Sequence, residues 1–341
     1  MNIAVPTGHI GIIEGDHGLL EFVSLGDYGK DVNLKADFMG LDRVPMQVRH
    51  TDLMPLSEKW VITVSTQYGC SMGCTFCDVP SVGPGKNASA RDIIRQVLAA
   101  MALHPNQRSV GRLNLHLARM GEPTWNMRNI FKAVRAIKTM FDAMRWGFHP
   151  VLSTMCPDGM SGIWASNVKK WCERYKLSED VDAGLQLSIN STDDAERDAM
   201  FSGNAMGLSW IGKLLENLPP PMDGCRKYTL NFAVSDWEID PAKLLALFDP
   251  EKWLIKLTPM HQTAAADDSG LLTHGDSTSY APYDRHEQAL KAAGYDVIVF
   301  IASEEEDSSR ITCGNAILAD KTIQGAFVHN KHRGYQGTSN E

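Results

Sequence analysis

From residue 61 the chain alternates between short apolar runs rich in β-branched residues and longer runs of helical periodicity, a pattern that restricts the fold to few choices. Residues 61–67, 113–118, 151–154, 185–189, 228–234, 253–257 and 297–301 read as strands. Between them, Ser89 caps a helix with Asp92 three residues on, and Ile93, Ile94, Val97, Leu98 and Met101 line its apolar face. Asn126 caps a second helix, with Ile130, Phe131, Val134, Ile137 and Phe141 on its apolar face. Residues 160–176 form a third, and 193–217 a helical stretch interrupted near Gly203. Pro241 opens another at its first helical position, and Gly294 ends the run 282–293. Six or seven such alternations imply parallel strands joined by right-handed crossovers. A closed or partial (β/α) barrel fits the spacing better than an open sheet. Its chemistry is then expected where the strands end. Residues 8–60 read as a β-rich extension with Gly-rich turns.

Directly after the first of these strands the chain reads Gly69-Cys-Ser-Met-Gly-Cys-Thr-Phe-Cys77. Three thiolates from one tight loop suit three irons of a cubane and leave the fourth iron open, so Cys70, Cys74 and Cys77 are expected to hold a [4Fe–4S] cluster. Zinc is the rival. A closed structural zinc site wants a fourth ligand and usually a second CxxC pair, which the sequence lacks. The seven cysteines are an odd number in a long chain, a poor disulfide framework and a better fit to a reducing compartment.

No apolar run approaches a membrane span, and the first residues lack the basic-then-apolar pattern of a secretory signal. A cytoplasmic protein without membrane contact is expected. The formal net charge of −8 disfavours a dedicated nucleic-acid binder, although local basic patches remain compatible with it.

The second strand runs into Met120-Gly-Glu-Pro-Thr-Trp-Asn126. Gly121 lets backbone approach a ligand, and Glu122 offers a carboxylate to an ammonium group. Ser153 ends the third strand, Ser188 and Asn190 the fourth, and His261 follows the sixth. Such strand-tip groups either bond a ligand or simply cap the next helix.

The cysteine loop, with Phe76 before its last cysteine, resembles the signature of the radical S-adenosylmethionine (SAM) superfamily. That resemblance implies a partial (β/α)6 barrel, a cluster whose open iron chelates SAM, and a 5′-deoxyadenosyl radical. The segment at Gly121 and Glu122 resembles the motif that holds the SAM amino group. The order of the cysteine loop, this motif, Leu152-Ser-Thr, Leu187-Ser-Ile-Asn, Leu257-Thr-Pro and Ile311-Thr-Cys-Gly-Asn315 is similar to one subgroup, the methyl-synthase type RNA (adenine C2 or C8) methyltransferases. By this resemblance Cys313 carries a methyl group taken from one SAM, and a radical made from a second SAM activates it for addition to an electron-poor carbon. Glu21 matches the subgroup's proposed proton acceptor. Asn190 and His261 stand where the subgroup usually has histidine and asparagine. A small flavodoxin or ferredoxin is the implied reductant, and a monomer or dimer the expected assembly.

The resemblance has two sharp departures. The subgroup's second catalytic cysteine lies seven residues before the first cluster cysteine, and that position here is Thr63. A hydroxyl cannot form the resolving disulfide. Cys156, just past the third strand, is the substitute candidate, with Cys225 behind it; Cys172 shares a helical face with Trp164, Val168 and Trp171 and reads as core. RNA-modifying members of the subgroup also carry an added helical domain that helps bind RNA, whereas the roughly 60 residues before the cluster strand here read as β-rich, which favours the alternative of a non-RNA substrate. The chain is therefore expected to divide into an extension (1–60), a barrel (61–302) and a catalytic loop with tail (303–341). Its expected activity is methyl or methylene transfer through Cys313 to an adenine-type substrate, either RNA or a smaller nucleotide-like molecule. The alternatives are direct hydrogen abstraction from a non-RNA substrate and a non-enzymatic iron–sulfur protein.

Overall fold

The computed structural model describes residues 1–5, 7–26, 54–178, 181–261, 263–271, 281–300 and 316–319. Three strands open the chain as an antiparallel meander: β1 (Asn2–Val5), β2 (Gly8–Gly15) and β3 (Gly18–Leu25). β3 then pairs antiparallel with β4 (Lys59–Val64), so the extension continues the main sheet. β5 (Gln67–Gly69) and β6 (Pro84–Asn87) form a small separate hairpin. From β4 the sheet runs parallel through β7 (Arg112–Leu117), β8 (Phe148–Thr154), β9 (Gly184–Ser188), β10 (Tyr228–Val234), β11 (Trp253–Pro259) and β12 (Val297–Val299). The sheet ends at β1 and β12 without closing.

The parallel part curls. β7 and β11 are four strands apart, about 19 Å in a flat sheet. Yet Lys256 of β11 and Arg226, just before β10, act electrostatically on His116 of β7. They meet across a concave face. Burial along β7 shows how the sequence sets this up: Leu113, Leu115 and Leu117 are buried towards the helices, while Arg112, Asn114 and His116 take the other face. The result is a partial (β/α) barrel with an unusually polar interior.

The helices are α1 (Ala90–Ala102), α2 (Met127–Met144), α3 (Ser161–Trp171), α4 (Asp194–Met200), α5 (Leu208–Leu215), α6 (Pro241–Leu245), α7 (Ala264–Asp268), α8 (Ala281–Ala292) and α9 (Ala316–Ala319). The expected capping box is present: the Ser89 hydroxyl accepts the Asp92 N–H, and the Asp92 carboxylate accepts the Ser89 N–H. Asp240 caps α6 with Pro241 inside its first turn. Cys172 is buried with Trp164, Val168 and Trp171 in the main core.

Two sequence expectations need correction. Leu98 is 45% exposed, and the buried face of α1 is Asp92, Ile93, Gln96, Val97 and Ala100. The Gln96 amide bonds both the N–H and the carbonyl of Ser65, at 2.8 and 2.9 Å, so a satisfied polar group holds the place expected of an apolar one. Asn126 sits at the N-cap of α2 but makes no cap bond. Its amide donates to the carbonyls of Thr66 and Ala88 at 2.8 and 2.7 Å, pinning the chain ahead of the helix to the segment after β4. Among the described residues no helix is long and apolar enough to cross a membrane.

Candidate functional site

The cysteine loop leaves β5 at Gly69, whose φ of +77° no β-carbon would tolerate here: an added one would lie 2.1 Å from the Gly83 carbonyl oxygen. The Cys70 N–H donates to that same carbonyl at 3.2 Å. The loop then lies over the strand ends. The Thr75 N–H donates to the Met200 carbonyl at 3.0 Å, and the Asn204 amide to the Met72 carbonyl at 3.0 Å. From beyond β11, the Thr263 hydroxyl donates to the Phe76 carbonyl at 2.9 Å, and the Asp78 carboxylate accepts the Ala265 N–H at 3.0 Å. The loop is thus fastened to segments that follow β9 and β11, on the far side of the barrel mouth.

Around it stands an apolar shell. Met72, Met155, Met200, Phe201 and Met260 are buried together, with Cys70, Cys74, Phe76, Trp125 and Trp237 packed against them. The Trp125 indole N–H points at the Met72 sulfur at 3.2 Å, and Phe76 meets Phe201 edge-on at 5.8 Å. Such a shell excludes water and lowers the local dielectric around a redox group. These methionines are scattered along the sequence without a shared period, so no local pattern marked them.

Cys70, Cys74 and Cys77 are half-buried. Burial raises the Cys70 thiol above its ordinary range, opposed by backbone groups of Met72, Gly121 and Glu122. Among the described residues no three His, Cys, Asp or Glu side chains already converge as a closed metal site. The donor set nevertheless suits an iron–sulfur cluster: three soft thiols on one loop, under an apolar shell, with backbone donors at the first sulfur.

Gly121 and Glu122 sit beside this loop. Gly121 has φ +94°, and a β-carbon there would lie 2.4 Å from the Gln67 β-carbon. The Glu122 N–H donates to Gln67 Oε1 at 2.9 Å. Its carboxylate accepts the Thr124 N–H at 3.0 Å, the Thr124 hydroxyl at 2.6 Å and the Met155 N–H at 3.0 Å. The Thr154 side chain hydrogen-bonds it as well, so all of the about four acceptor directions of the carboxylate are engaged and its orientation is fixed. Glu122 is 3% exposed, and burial raises its carboxyl above the ordinary value against the pull of these bonds.

The strand-tip residues divide into two groups. Asn190 is buried at φ +61°, and its Oδ1 accepts the Ala233 N–H at 3.0 Å, so it shapes a turn. His261 is half-buried next to Met260. The Ser188 carbonyl accepts from the Arg197 guanidinium at 3.3 Å, while its side chain shares the register position of Asn231. The Ser153 hydroxyl is buried without a hydrogen-bond partner. So are Asn231 Oδ1 on β10, and Ser235 Oγ and Trp237 Nε1 just beyond it. Buried polar atoms left without partners mark a place where a ligand completes the bonding. The polar Asn231 inside an apolar strand alternates with Thr229 and Ala233, a signal the sequence reading passed over.

The other expected residues are placed as follows. Glu21 is fully buried and pairs with Arg119; its Oε2 accepts the Ile317 N–H at 3.2 Å. Cys156 is fully buried at φ +60°, with burial raising its thiol far above the ordinary range. Cys225 is half-buried. Thr63 of β4 registers between Val23 and His116. Cys313 lies outside the described residues.

With this geometry in place, the chain was compared with known proteins. It is 26% identical over 283 residues to the dual-specificity RNA methyltransferase RlmN of Marinobacter nauticus, covering 80% of this chain and 70% of that one. Over most of its length the chain is similar to RlmN methyltransferases. A probable RlmN of Thermus thermophilus is 34% identical over 146 residues, 42% of this chain and 37% of its own. For the RlmN of Syntrophotalea carbinolica the match covers 51% of that protein, at 26% identity. The fold is shared with a radical SAM methyltransferase from Sphaerobacter thermophilus: TM-score 0.59, 19% identity, 88% of this chain and 75% of that chain. No family model matches. The shared fold agrees with the partial barrel described above.

Proposed function

We propose that the protein is a radical SAM enzyme that transfers a methyl-derived carbon to an electron-poor carbon of an adenine-type base, in RNA or in a smaller nucleotide-like molecule. One observation carries this reading: the three-thiol loop is seated over the strand ends, beside Gly121 and Glu122 and above orphaned polar atoms of β8 and β10. Cys70, Cys74 and Cys77 would hold the cluster. When bound, a [4Fe–4S] cluster with one open iron supplies the electron that cleaves SAM. The Glu122 carboxylate, oriented by its bonds to Thr124, Met155 and Thr154, is the proposed partner of the SAM ammonium group, and the open backbone at Gly121 lets the ligand approach. Ser153, Ser188 and Asn231 offer donors and acceptors to its polar edges, with Asn190 and His261 at the rim. The apolar shell keeps water from a radical formed there. Cys313 serves as the methyl-carrying thiol, and Cys156 is its proposed partner thiol. A small flavodoxin or ferredoxin as reductant, a cytoplasmic setting and a monomeric or dimeric state belong to the same reading, as does the division at residues 60 and 302.

Thr63 favours a second reading, direct hydrogen abstraction from the substrate, because the strand position of the resolving thiol is a hydroxyl. Anaerobic reconstitution followed by SAM separates the two. The first reading expects S-adenosylhomocysteine, 5′-deoxyadenosine and one added methyl group on Cys313. Production of 5′-deoxyadenosine without S-adenosylhomocysteine selects the second, and full product formation by Cys313→Ala ends the first.

A further inference from the structure

Glu21 lies at an unusual junction. Its side chain is fully buried and that of Arg119 is 4% exposed, so their ion pair is shielded from solvent. Burying two charges is costly unless further hydrogen bonds satisfy them. The further bond here comes from the other end of the chain: Glu21 Oε2 accepts the Ile317 N–H, 296 residues away, at 3.2 Å. Ile317 is buried in the main core, and Ala316 packs on Ile10 of β2 and Val23 of β3. On its other side the pair reaches the mouth. Arg119 follows β7 directly, its N–H donates to the Val64 carbonyl at 3.1 Å, and the next residues are Met120, Gly121 and Glu122. The Glu21 carbonyl accepts the Ser65 hydroxyl at 2.5 Å, one residue past the end of β4. Glu21 therefore joins three places: its backbone carbonyl takes the end of the cluster strand, and its carboxylate takes Arg119 on the approach to Gly121 and the Ile317 N–H of α9.

Ala316 comes three residues after Cys313, and three residues of chain span at most about 11 Å. Whatever holds Ala316 against β2 and β3 therefore bears on the segment that carries Cys313. We infer that Glu21, with Arg119, is a positioning residue that docks the segment carrying Cys313 beside the cluster strand, and that it does not act as a proton acceptor on substrate. Both of its carboxylate oxygens are already engaged within the protein, one by the Arg119 guanidinium and the other by the Ile317 N–H. This inference rests on the assignment of Cys313 as the methyl carrier, and its test separates the two.

Trypsin cleavage at Arg310 and Lys321 releases the peptide 311–321, which contains both Cys313 and α9. Three proteins are compared in reconstituted form: the parent, Glu21→Gln, which keeps an acceptor but loses the charge, and Ile317→Pro, which removes the donated N–H and leaves the ion pair in place. Ile317→Val controls for side-chain packing, and the cluster absorbance reports an intact fold. Release of the peptide is expected to accelerate by on the order of tenfold in both variants, as for loss of a charge-assisted bond. In the same samples, without substrate, methylation of Cys313 by SAM is followed. In this half-reaction the sulfonium–methyl bond breaks and an Sγ–methyl bond forms, while the thiol proton passes to water and S-adenosylhomocysteine leaves. Slowing in Glu21→Gln supports positioning, because a base acting on substrate has no part in this step. Peptide release at the parent rate in both variants overturns the inference. Faster release with no Cys313 methylation even in the parent upholds the docking and defeats the methyl-carrier reading instead.

Discussion

The Glu122 N–H donates to Gln67 Oε1 at 2.9 Å, and the same glutamine side chain occupies the space an alanine at position 121 would need. Gln67 thereby fixes the path of the segment proposed to hold SAM. Gly121→Ala places a β-carbon 2.4 Å from the root of that side chain, which no rotamer change relieves, and it imposes φ +94° on an L residue. The strain is about 2 kcal/mol or more, expected as at least a tenfold weaker SAM affinity with the cluster retained. Calorimetric titration of the reconstituted protein measures it, and parent-like affinity would show that the segment is not the SAM site.

Asp92 links the extension, the capping box and the hairpin before Cys70. Its Oδ1 accepts the Asp16 N–H at 3.2 Å, and its Oδ2 accepts the Tyr68 hydroxyl at 2.7 Å and the Ser89 N–H at 3.1 Å. Replacement by asparagine weakens three bonds to a buried charge and is expected to cost about 2 kcal/mol, with Tyr68→Phe costing about 1 kcal/mol. Because both act through one bond, their effects should not add. Denaturant unfolding of the two single variants and the double variant gives the coupling.

The strands of the barrel were legible because apolar runs and punctuation are local signals. The cap at Ser89 and the helix start at Pro241 were legible for the same reason. Leu98 and Asn126 were misread because tertiary partners outbid local pattern: Gln96 found the backbone of Ser65, and Asn126 found two carbonyls outside its helix. The cysteines and Glu122 announced themselves by spacing. The methionine shell and the orphaned Asn231, Ser235 and Trp237 did not, since only the curled sheet brings them to one mouth.

His116 supplies a pH test of the concave face. Burial, reinforced by the charges of Lys256, Arg226, Lys59 and Arg112, lowers its pKa to about 3. An unfolded histidine titrates near 6.5. Between these values the unfolded chain binds a proton that the folded one refuses, so stability falls as pH drops from about 6.5 towards 3. His116→Gln removes this contribution. Its unfolding free energy is expected to decline less steeply than the parent's from pH 7 to pH 4, and equal slopes would place His116 in a better-solvated setting.

Cys156 and Cys225 differ in the property a partner thiol needs. Thiolate is the reactive form, and Cys156 is both shut from solvent and shifted far upward by burial, with Arg197 pulling the other way. Its backbone is pinned as well: the Cys156 N–H donates to Thr154 Oγ1 at 3.1 Å, and its carbonyl accepts the Met206 N–H at 2.8 Å. To reach a methylated Cys313 the segment after β8 has to open. In the resting, cluster-loaded protein, iodoacetamide is expected to alkylate half-buried Cys225 well before Cys156. If Cys156 serves as the partner thiol, SAM together with substrate should expose it and raise its alkylation rate, while SAM alone should not. Peptide mapping under the three conditions reads this directly. A Cys156 that stays protected throughout turnover removes it from the reaction and leaves Thr63 as the mark of chemistry that ends without a disulfide.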